Sequence, residues 1–272
     1  MDLTFYKMHG AGNDFILVDD RSVTFPADQR EWLASIASRR TGVGCEGVIL
    51  IQPSNRADFR MRFYNPDGGE VEMCGNGARC VARLAHDLGV APASMNFDTV
   101  AGLIHADVHG EEVELQMTEP GDWRTGLTLD IDGVAWSCDF VNTGVPHVVV
   151  RVEDVSAVEV ERVGRAIRRH AHFAPAGTNV NFAQVTGPSS LRVRTYERGV
   201  EQETGACGTG IVASALLLGK AGAVTPPVEV TAASGDTITV SYELTDDGAR
   251  QVRMRGPAVY VFRGSLSMPG AA

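Results

Sequence analysis

Apolar positions along this chain follow two periods that alternate from one end to the other. Residues 2–7 alternate polar and apolar as a short strand does, HGAGND (9–14) is a glycine-rich turn, and FILVDD resumes as a strand ending at Asp19-Asp20. Residues 27–39 put Trp32, Leu33, Ile36 and Ala37 on one stripe, which predicts an amphipathic helix. GVILIQPS and FRMRFYN read as strands, and Asn65-Pro66-Asp67-Gly68-Gly69 as a turn cluster. After EVEM, Val81, Leu84, Ala85 and Leu88 recur at helical spacing until Gly89 stops the run. Two strands, 95–109 and 112–117 with a turn near Gly110-Glu111, close this half.

The second half repeats the order. VNTGVPHVVVRV gives a turn and a strand, 155–170 a helix, and 179–185 and 191–197 two strands. A nearly all-apolar helix through Ile211, Ala215 and Leu218 stops at Gly219 or Gly222, and a hairpin and AVYVFRGSL follow. The landmarks hold one offset to within a residue. Cys74-Gly75-Asn76-Gly77 and Cys207-Gly208-Thr209-Gly210 lie 133 residues apart, as do Gly44 and Gly177, and Gly102 and Gly235. Tyr64 and Tyr196 lie 132 apart, and so do Gly12 and Gly144. This is a duplicated unit of about 130 residues, large enough to bury its own core. Strands outnumber helices, which predicts an α+β fold. Two pseudo-symmetric lobes are expected, each a curved, barrel-like, mostly antiparallel sheet around a central helix. The boundary falls near Pro120-Gly121, giving lobes 1–120 and 121–262, with the last strand, about 263–272, returning to the first lobe.

Composition narrows the function. With 24 basic against 34 acidic residues, net −10, and no basic cluster, the chain is not suited to nucleic acid or to anionic membrane surfaces. MDLTFYKMHGAG lacks the charged and apolar regions of a signal peptide, and the longest apolar run, near 211–218, is too short to span a bilayer. Five cysteines (45, 74, 80, 138 and 207) without CxxC spacing suit a reducing cytosol. The expectation is a cytoplasmic chain acting on a small molecule.

Each half puts one cysteine at the start of one helix, where unpaired N–H groups and the helix dipole favour a thiolate and any nearby anion. Two such thiols suit inversion at a carbon acid, which needs a base on one face and an acid on the other. Removing the α-proton drives charge into the carboxylate, and helix N–H groups stabilise it by about 3–4 kcal/mol per well-placed donor. Cys45, Cys80 and Cys138 lack the glycine-flanked setting and read as small buried hydrophobes.

HGAGNDF (9–15), YNPDGGEVEMCGNGARC (64–80), VNTGVPH (141–147), GTNVNF (177–182) and YERGVEQETGACGTG (196–210) resemble the motifs of the diaminopimelate epimerases. The resemblance runs from residue 4 to about 262. It implies a pyridoxal-phosphate-independent enzyme, with no cofactor, that interconverts LL- and meso-diaminopimelate on the lysine and cell-wall route. Cys74 and Cys207 would be the base and acid pair. Asn13, Asn65, Asn179, Glu197 and Arg198 would hold the distal amino-acid end. Gly75, Asn76, Gly208 and Thr209 would grip the reacting carboxylate, with His147 and Glu197 near the reacting centre. A homodimer is implied as well. The chain departs from the family pattern at Val145, at Glu46-Gly47, and in an ERGVEQET loop one residue longer than usual.

Other readings carry less. Asn13, Asn65, Asn76 and Asn179 also suit turns and caps, Arg198 and Glu197 a surface ion pair, and His147 a satisfied core histidine. His170-x-His172 ends an arginine-rich segment and reads as a solvated helix terminus rather than a metal site. Gly208-x-Gly210-x-x-Ala213 matches a dinucleotide fingerprint but no apolar strand precedes it. A nucleophilic cysteine enzyme leaves the second thiol unexplained. The main alternative is a related cofactor-independent racemase of another amino acid, such as histidine or a proline derivative.

Overall fold

The computed structural model describes residues 2–72 and 74–269. The chain forms two compact units, one of Met1–Leu115 with Gly256–Ala272 and a second of Gln116–Arg255. The elements follow in chain order as β1 (Asp2–Gly10), β2 (Asn13–Asp19), α1 (Arg30–Ala37), β3 (Gly47–Gln52), β4 (Phe59–Tyr64), β5 (Glu70–Val71), α2 (Gly75–Asp87), β6 (Ser94–Thr99), β7 (Gly102–His109) and β8 (Glu112–Gln116). Then come β9 (Gly121–Ile131), β10 (Val134–Asn142), β11 (Pro146–Arg151), α3 (Arg165–Arg168), β12 (Asn179–Gly187), β13 (Ser190–Glu197) and β14 (Gln202–Thr204). The last are α4 (Gly208–Lys220), β15 (Val228–Thr231), β16 (Thr237–Thr245), β17 (Gly248–Pro257) and β18 (Val259–Ser267).

The first unit runs β18-β1-β2-β3-β4-β6-β7-β8, antiparallel except for the β2/β3 and β4/β6 pairs, with β5 beside the far end of β4. The second runs β9-β10-β11-β12-β13-β15-β16-β17 with parallel pairs at the same two places and β14 in the role of β5. The registers correspond too. Val48 faces Tyr64 in one, and Val180 faces Tyr196 in the other. A duplicated sequence has produced a duplicated α+β topology, as the spacing of landmarks predicts.

Each parallel pair β4/β6 and β13/β15 requires a crossover, and the cysteine-headed helix supplies it. Helix α2 packs against β1, β2, β3 and β7, and α4 against β10 to β13, β15 and β16, so each sheet curls around its helix. The central strands are covered on both faces. All six residues of β3 are buried. On the outer face of the first unit Ile16, Val18, Val48 and Leu50 join Leu33 and Ile36 of α1. In the second, Val148, Val150, Val180 and Phe182 join Val160, Val163 and Ile167. Helices α2 and α4 are followed by Gly89 and Gly222, whose positive φ angles (67° and 70°) turn the chain away.

Four local expectations change. The stretch 95–109 is two strands, β6 and β7, because the chain reverses through Val100-Ala101 before Gly102. Residues 121–142 form the β9/β10 hairpin, which the sequence pattern did not predict; β9 is largely exposed and its alternation breaks at Gly126 (φ 71°). The helix expected over 155–170 is a one-turn 3-10 segment, a π-helical turn over Val160–Gly164 and the four residues of α3. Asp154 caps only the first turn, Val158 is extended, and Gly164 lies where a Cβ would sit 2.5 Å from that of Tyr196, so close approach to β13 overrides regular winding. Helix α1 is shorter than 27–39, and Trp32 is part-buried against Phe25 at 5.4 Å while Leu33, Ile36 and Ala37 are buried. Among the described residues no helix is long and apolar enough to cross a membrane.

Candidate active site

In the first unit Cys74 is the N-cap of α2, extended at φ −133° and ψ 124°, and its carbonyl accepts the first helical hydrogen bond from Ala78 N–H at 2.8 Å. The N–H groups of Gly75, Asn76 and Gly77 therefore have no intrahelical acceptor. Asn76 is buried, donates from Nδ2 to Asn13 Oδ1, and accepts at Oδ1 from Arg79 Nη2 at 2.9 Å. Arg79 is fully buried and its Nε donates to the Pro257 carbonyl at 3.2 Å. Asn13 also donates to Glu46 Oε2. Beside it Asp14 receives Lys7 at 2.6 Å and Arg39 at 2.7 Å. Burial pushes the Asp14 carboxyl up, but hydrogen bonds from Arg39 and Lys7 outweigh it and hold the group below the usual range. Asn65 stands at the end of β4 in a turn closed by Gly68 N–H to its carbonyl at 2.9 Å.

In the second unit Cys207 is the N-cap of α4 (φ −112°, ψ 106°), and its carbonyl accepts from Ile211 N–H at 2.9 Å. The N–H groups of Gly208, Thr209 and Gly210 are left without an intrahelical acceptor, as at the matching helix. His147, fully buried on β11, lies with Nε2 2.9 Å from Thr209 Oγ1, which is 3.6 Å from Cys207 Sγ. Burial, with a smaller push from the Arg198 cation, lowers the His147 pKa to about 3, so the ring is neutral. Asn179 donates to the Pro146 carbonyl at 3.1 Å and accepts from the Arg198 backbone N–H at 2.8 Å, pinning the start of β12 to the loop after β13. Glu197 Oε2 accepts from Thr204 at 3.0 Å, and the Arg198 guanidinium donates to the Ala176 carbonyl at 3.2 Å.

The structure thus joins Asn13 to Asn76 at one helix start, His147 to Thr209 and Cys207 at the other, and Asn179 to Arg198. The remaining cysteines lie buried. Desolvation raises Cys80 to about 12 and Cys138 to about 11, and raises Cys45 in the same direction. His170 accepts the His172 N–H at 3.2 Å and caps the turn that follows, rather than ending a solvated helix. Sequence reasoning missed Arg79, Asn181 and Thr195. The signal for Arg79 was present: a guanidinium on a helix otherwise lined by Val81, Leu84 and Ala85.

Matched against known families, residues 5–122 and 140–261 fit the model of diaminopimelate epimerase. The chain belongs to the diaminopimelate epimerase family. It is, with that family, an isomerase. The diaminopimelate epimerase of Aquifex aeolicus is 42% identical over 277 residues, covering 97% of this chain and 98% of that protein. That of Chlorobaculum tepidum is 43% identical over 266 residues, covering 96% and 100%. Among solved structures, a PhzF-family phenazine biosynthesis protein of Bacillus anthracis superposes with a TM-score of 0.73 at 16% identity, covering 98% of this chain and 100% of that one. A hydroxyproline epimerase of Agrobacterium vitis gives 0.67 at 18% identity, covering 97% and 91%. At those identities the likeness shows a common fold alone.

Proposed function

We propose that the chain interconverts LL- and meso-2,6-diaminopimelate by proton transfer between Cys74, Cys207 and the substrate α-carbon, without a cofactor. One cysteine, as thiolate, takes the α-proton and becomes a thiol. The electron pair moves into the carboxylate, and the other cysteine gives its own proton to the opposite face, becoming the thiolate. The two exchange roles with the configuration of the substrate. Carried over by the family likeness, Gly75, Asn76, Gly208 and Thr209 grip the reacting carboxylate. The first-turn N–H groups of α2 and α4 are suited to this, since they are fixed donors that need no reorganisation as charge develops. Asn13, Asn65, Asn179, Glu197 and Arg198 hold the distal end, and His147 and Glu197 lie near the reacting carbon. Asn179 does so while both ends of its amide also anchor backbone, leaving one Nδ2 hydrogen for substrate.

The observation that carries this reading is that two cysteines 133 residues apart each cap the start of a topologically equivalent helix. Placement in the lysine and cell-wall precursor route, in the cytoplasm and as a homodimer follows from the same likeness. The deciding experiment incubates the protein in deuterated water with LL-diaminopimelate beside L-histidine, L-lysine and L-proline, following α-deuterium incorporation and optical purity. Exchange and conversion to the meso form are expected for diaminopimelate alone. Inversion of proline or histidine with none of diaminopimelate overturns the assignment.

A further inference from the structure

The two helix starts share a backbone but not what lies beneath it. Position for position, Phe15, Ile49 and Phe63 in the first unit correspond to His147, Asn181 and Thr195 in the second, as the parallel and antiparallel registers show. Hydrocarbon meets the needs of the fold in one unit, yet the other buries three polar side chains at the same places. A buried polar group left unpaired costs about 1–3 kcal/mol, so their presence calls for a reason.

Their hydrogen bonds have a direction, and one backbone carbonyl sets it. The Val148 oxygen can only accept, so the Asn181 atom 2.9 Å away is the amide nitrogen Nδ2, and Oδ1 is the atom that accepts from Thr195 Oγ1 at 2.9 Å. The second Nδ2 hydrogen then meets His147 Nδ1 at 3.2 Å. A neutral imidazole carries one proton, so with Nδ1 accepting, Nε2 is the protonated nitrogen and donates to Thr209 Oγ1 at 2.9 Å. The Thr209 hydroxyl proton must then point elsewhere, and Cys207 Sγ lies within sulfur hydrogen-bond reach at 3.6 Å. The Thr143 hydroxyl, donating to the Thr209 carbonyl at 3.0 Å, holds that residue in place.

We propose that Thr195, Asn181 and His147 are positioning residues that lock the Thr209 hydroxyl as a hydrogen-bond donor to the sulfur of Cys207, favouring its thiolate form. The relay moves no proton. It is a chain of neutral groups with one permitted orientation, and it distinguishes Cys207 from Cys74, whose helix stands over Phe15 and Ile49. The inference rests on the proposed acid–base role of Cys207, but its tests need no turnover.

Nitrogen-15 NMR of histidine-labelled protein reports which ring nitrogen of His147 is protonated; Nε2 is expected. Asn181→Asp removes both amide donors, and its carboxylate can only accept, so the proton is expected to move to Nδ1. That variant also deprives the Val148 carbonyl of its donor, so the isosteric Thr209→Val serves as a second test should it not fold. Alkylation by iodoacetamide at neutral pH, read on the Cys207 peptide by mass spectrometry, is expected to slow about tenfold in Thr209→Val and to recover in Thr209→Ser. A wild-type His147 protonated on Nδ1, or a Cys207 that alkylates at the wild-type rate in Thr209→Val, overturns the relay. Both measurements are made without substrate, so loss of the diaminopimelate assignment would leave them interpretable.

Discussion

Gly210, three residues beyond Cys207, lies directly over Asn181: a Cβ built on the glycine would overlap Oδ1 of that amide and lie 3.3 Å from His147 Cε1. Its counterpart Gly77 would place a Cβ 2.7 Å from Cδ1 of Ile49, the free end of a flexible side chain. Asn181 cannot yield in the same way, because Thr195, Val148 and His147 hold it on three sides. Gly210→Ala is therefore expected to destabilise the protein by about 3 kcal/mol and Gly77→Ala by about 1 kcal/mol. Urea unfolding of the two variants checks the order, and equal midpoints would contradict the account of the polar layer.

On the proposed two-thiol mechanism, replacing either helix-start cysteine removes one of two obligatory proton carriers. Cys74→Ala and Cys207→Ala are each expected to lower inversion of LL-diaminopimelate by two to four powers of ten, the usual size of a general acid–base contribution (about 10²–10⁴). Cys80→Ala and Cys138→Ala remove buried thiols whose ionisation desolvation disfavours, and should alter stability rather than chemistry. Polarimetry with purified variants decides. Wild-type turnover in either of the first two ends the two-thiol mechanism.

How far the sequence could be read depended on what enforced each feature. The cysteine-headed helices were legible because backbone and core needs coincide there: a glycine-flanked start, an apolar run, a glycine stop. The β9/β10 hairpin was not, since β9 buries few side chains and leaves only a weak alternation. The 155–170 segment kept its helical spacing of buried Val160, Val163 and Ile167, while contact between Gly164 and Tyr196 decided its winding. At the site, Cys207, Thr209 and His147 announce themselves by motif. Asn181, although it lies within GTNVNF, and Thr195 do not stand out as a pair, because only the register of β11, β12 and β13 brings them together at inward positions.

Asp14, next to Asn13, has two cationic partners in unlike surroundings. Lys7 is 5% exposed and also donates to the Gly44 carbonyl, whereas the Arg39 side chain is 57% exposed. Lys7→Met is expected to cost about 3 kcal/mol, since it leaves the Asp14 carboxylate to the exposed Arg39 alone and takes the ammonium donor from the Gly44 carbonyl. Arg39→Ala should cost about 1 kcal/mol or less, as for other solvent-screened pairs. If Asn13 holds the distal end of the substrate, Lys7→Met should also raise KM more than it lowers kcat. Denaturant unfolding and steady-state kinetics test the two halves separately, and a costlier Arg39→Ala would reverse the ranking.

His147 gives the fold a dependence on pH with a definite sign. Its pKa is about 3 in the folded chain against an ordinary value of 6.5, because burial disfavours the charged ring and the Arg198 cation adds to this. Above pH 6.5 the ring is neutral folded or unfolded and contributes no slope. Below it the unfolded chain takes up a proton that the folded chain refuses, so stability falls with pH by about 1.4 kcal/mol per unit until the folded value is reached. Asp14, whose folded pKa is lowered from 3.8, acts in the same direction but only at more acidic pH, as its carboxylate is neutralised. Glu70 and Glu201, whose folded pKa values are lowered from 4.5, enter only as pH nears that value, so unfolding free energies between pH 6.5 and 5.5 report chiefly the histidine. His147→Gln should be less stable at pH 7 but show a shallower slope across that window. A variant slope as steep as wild type would mean that the buried ring is not the group responsible.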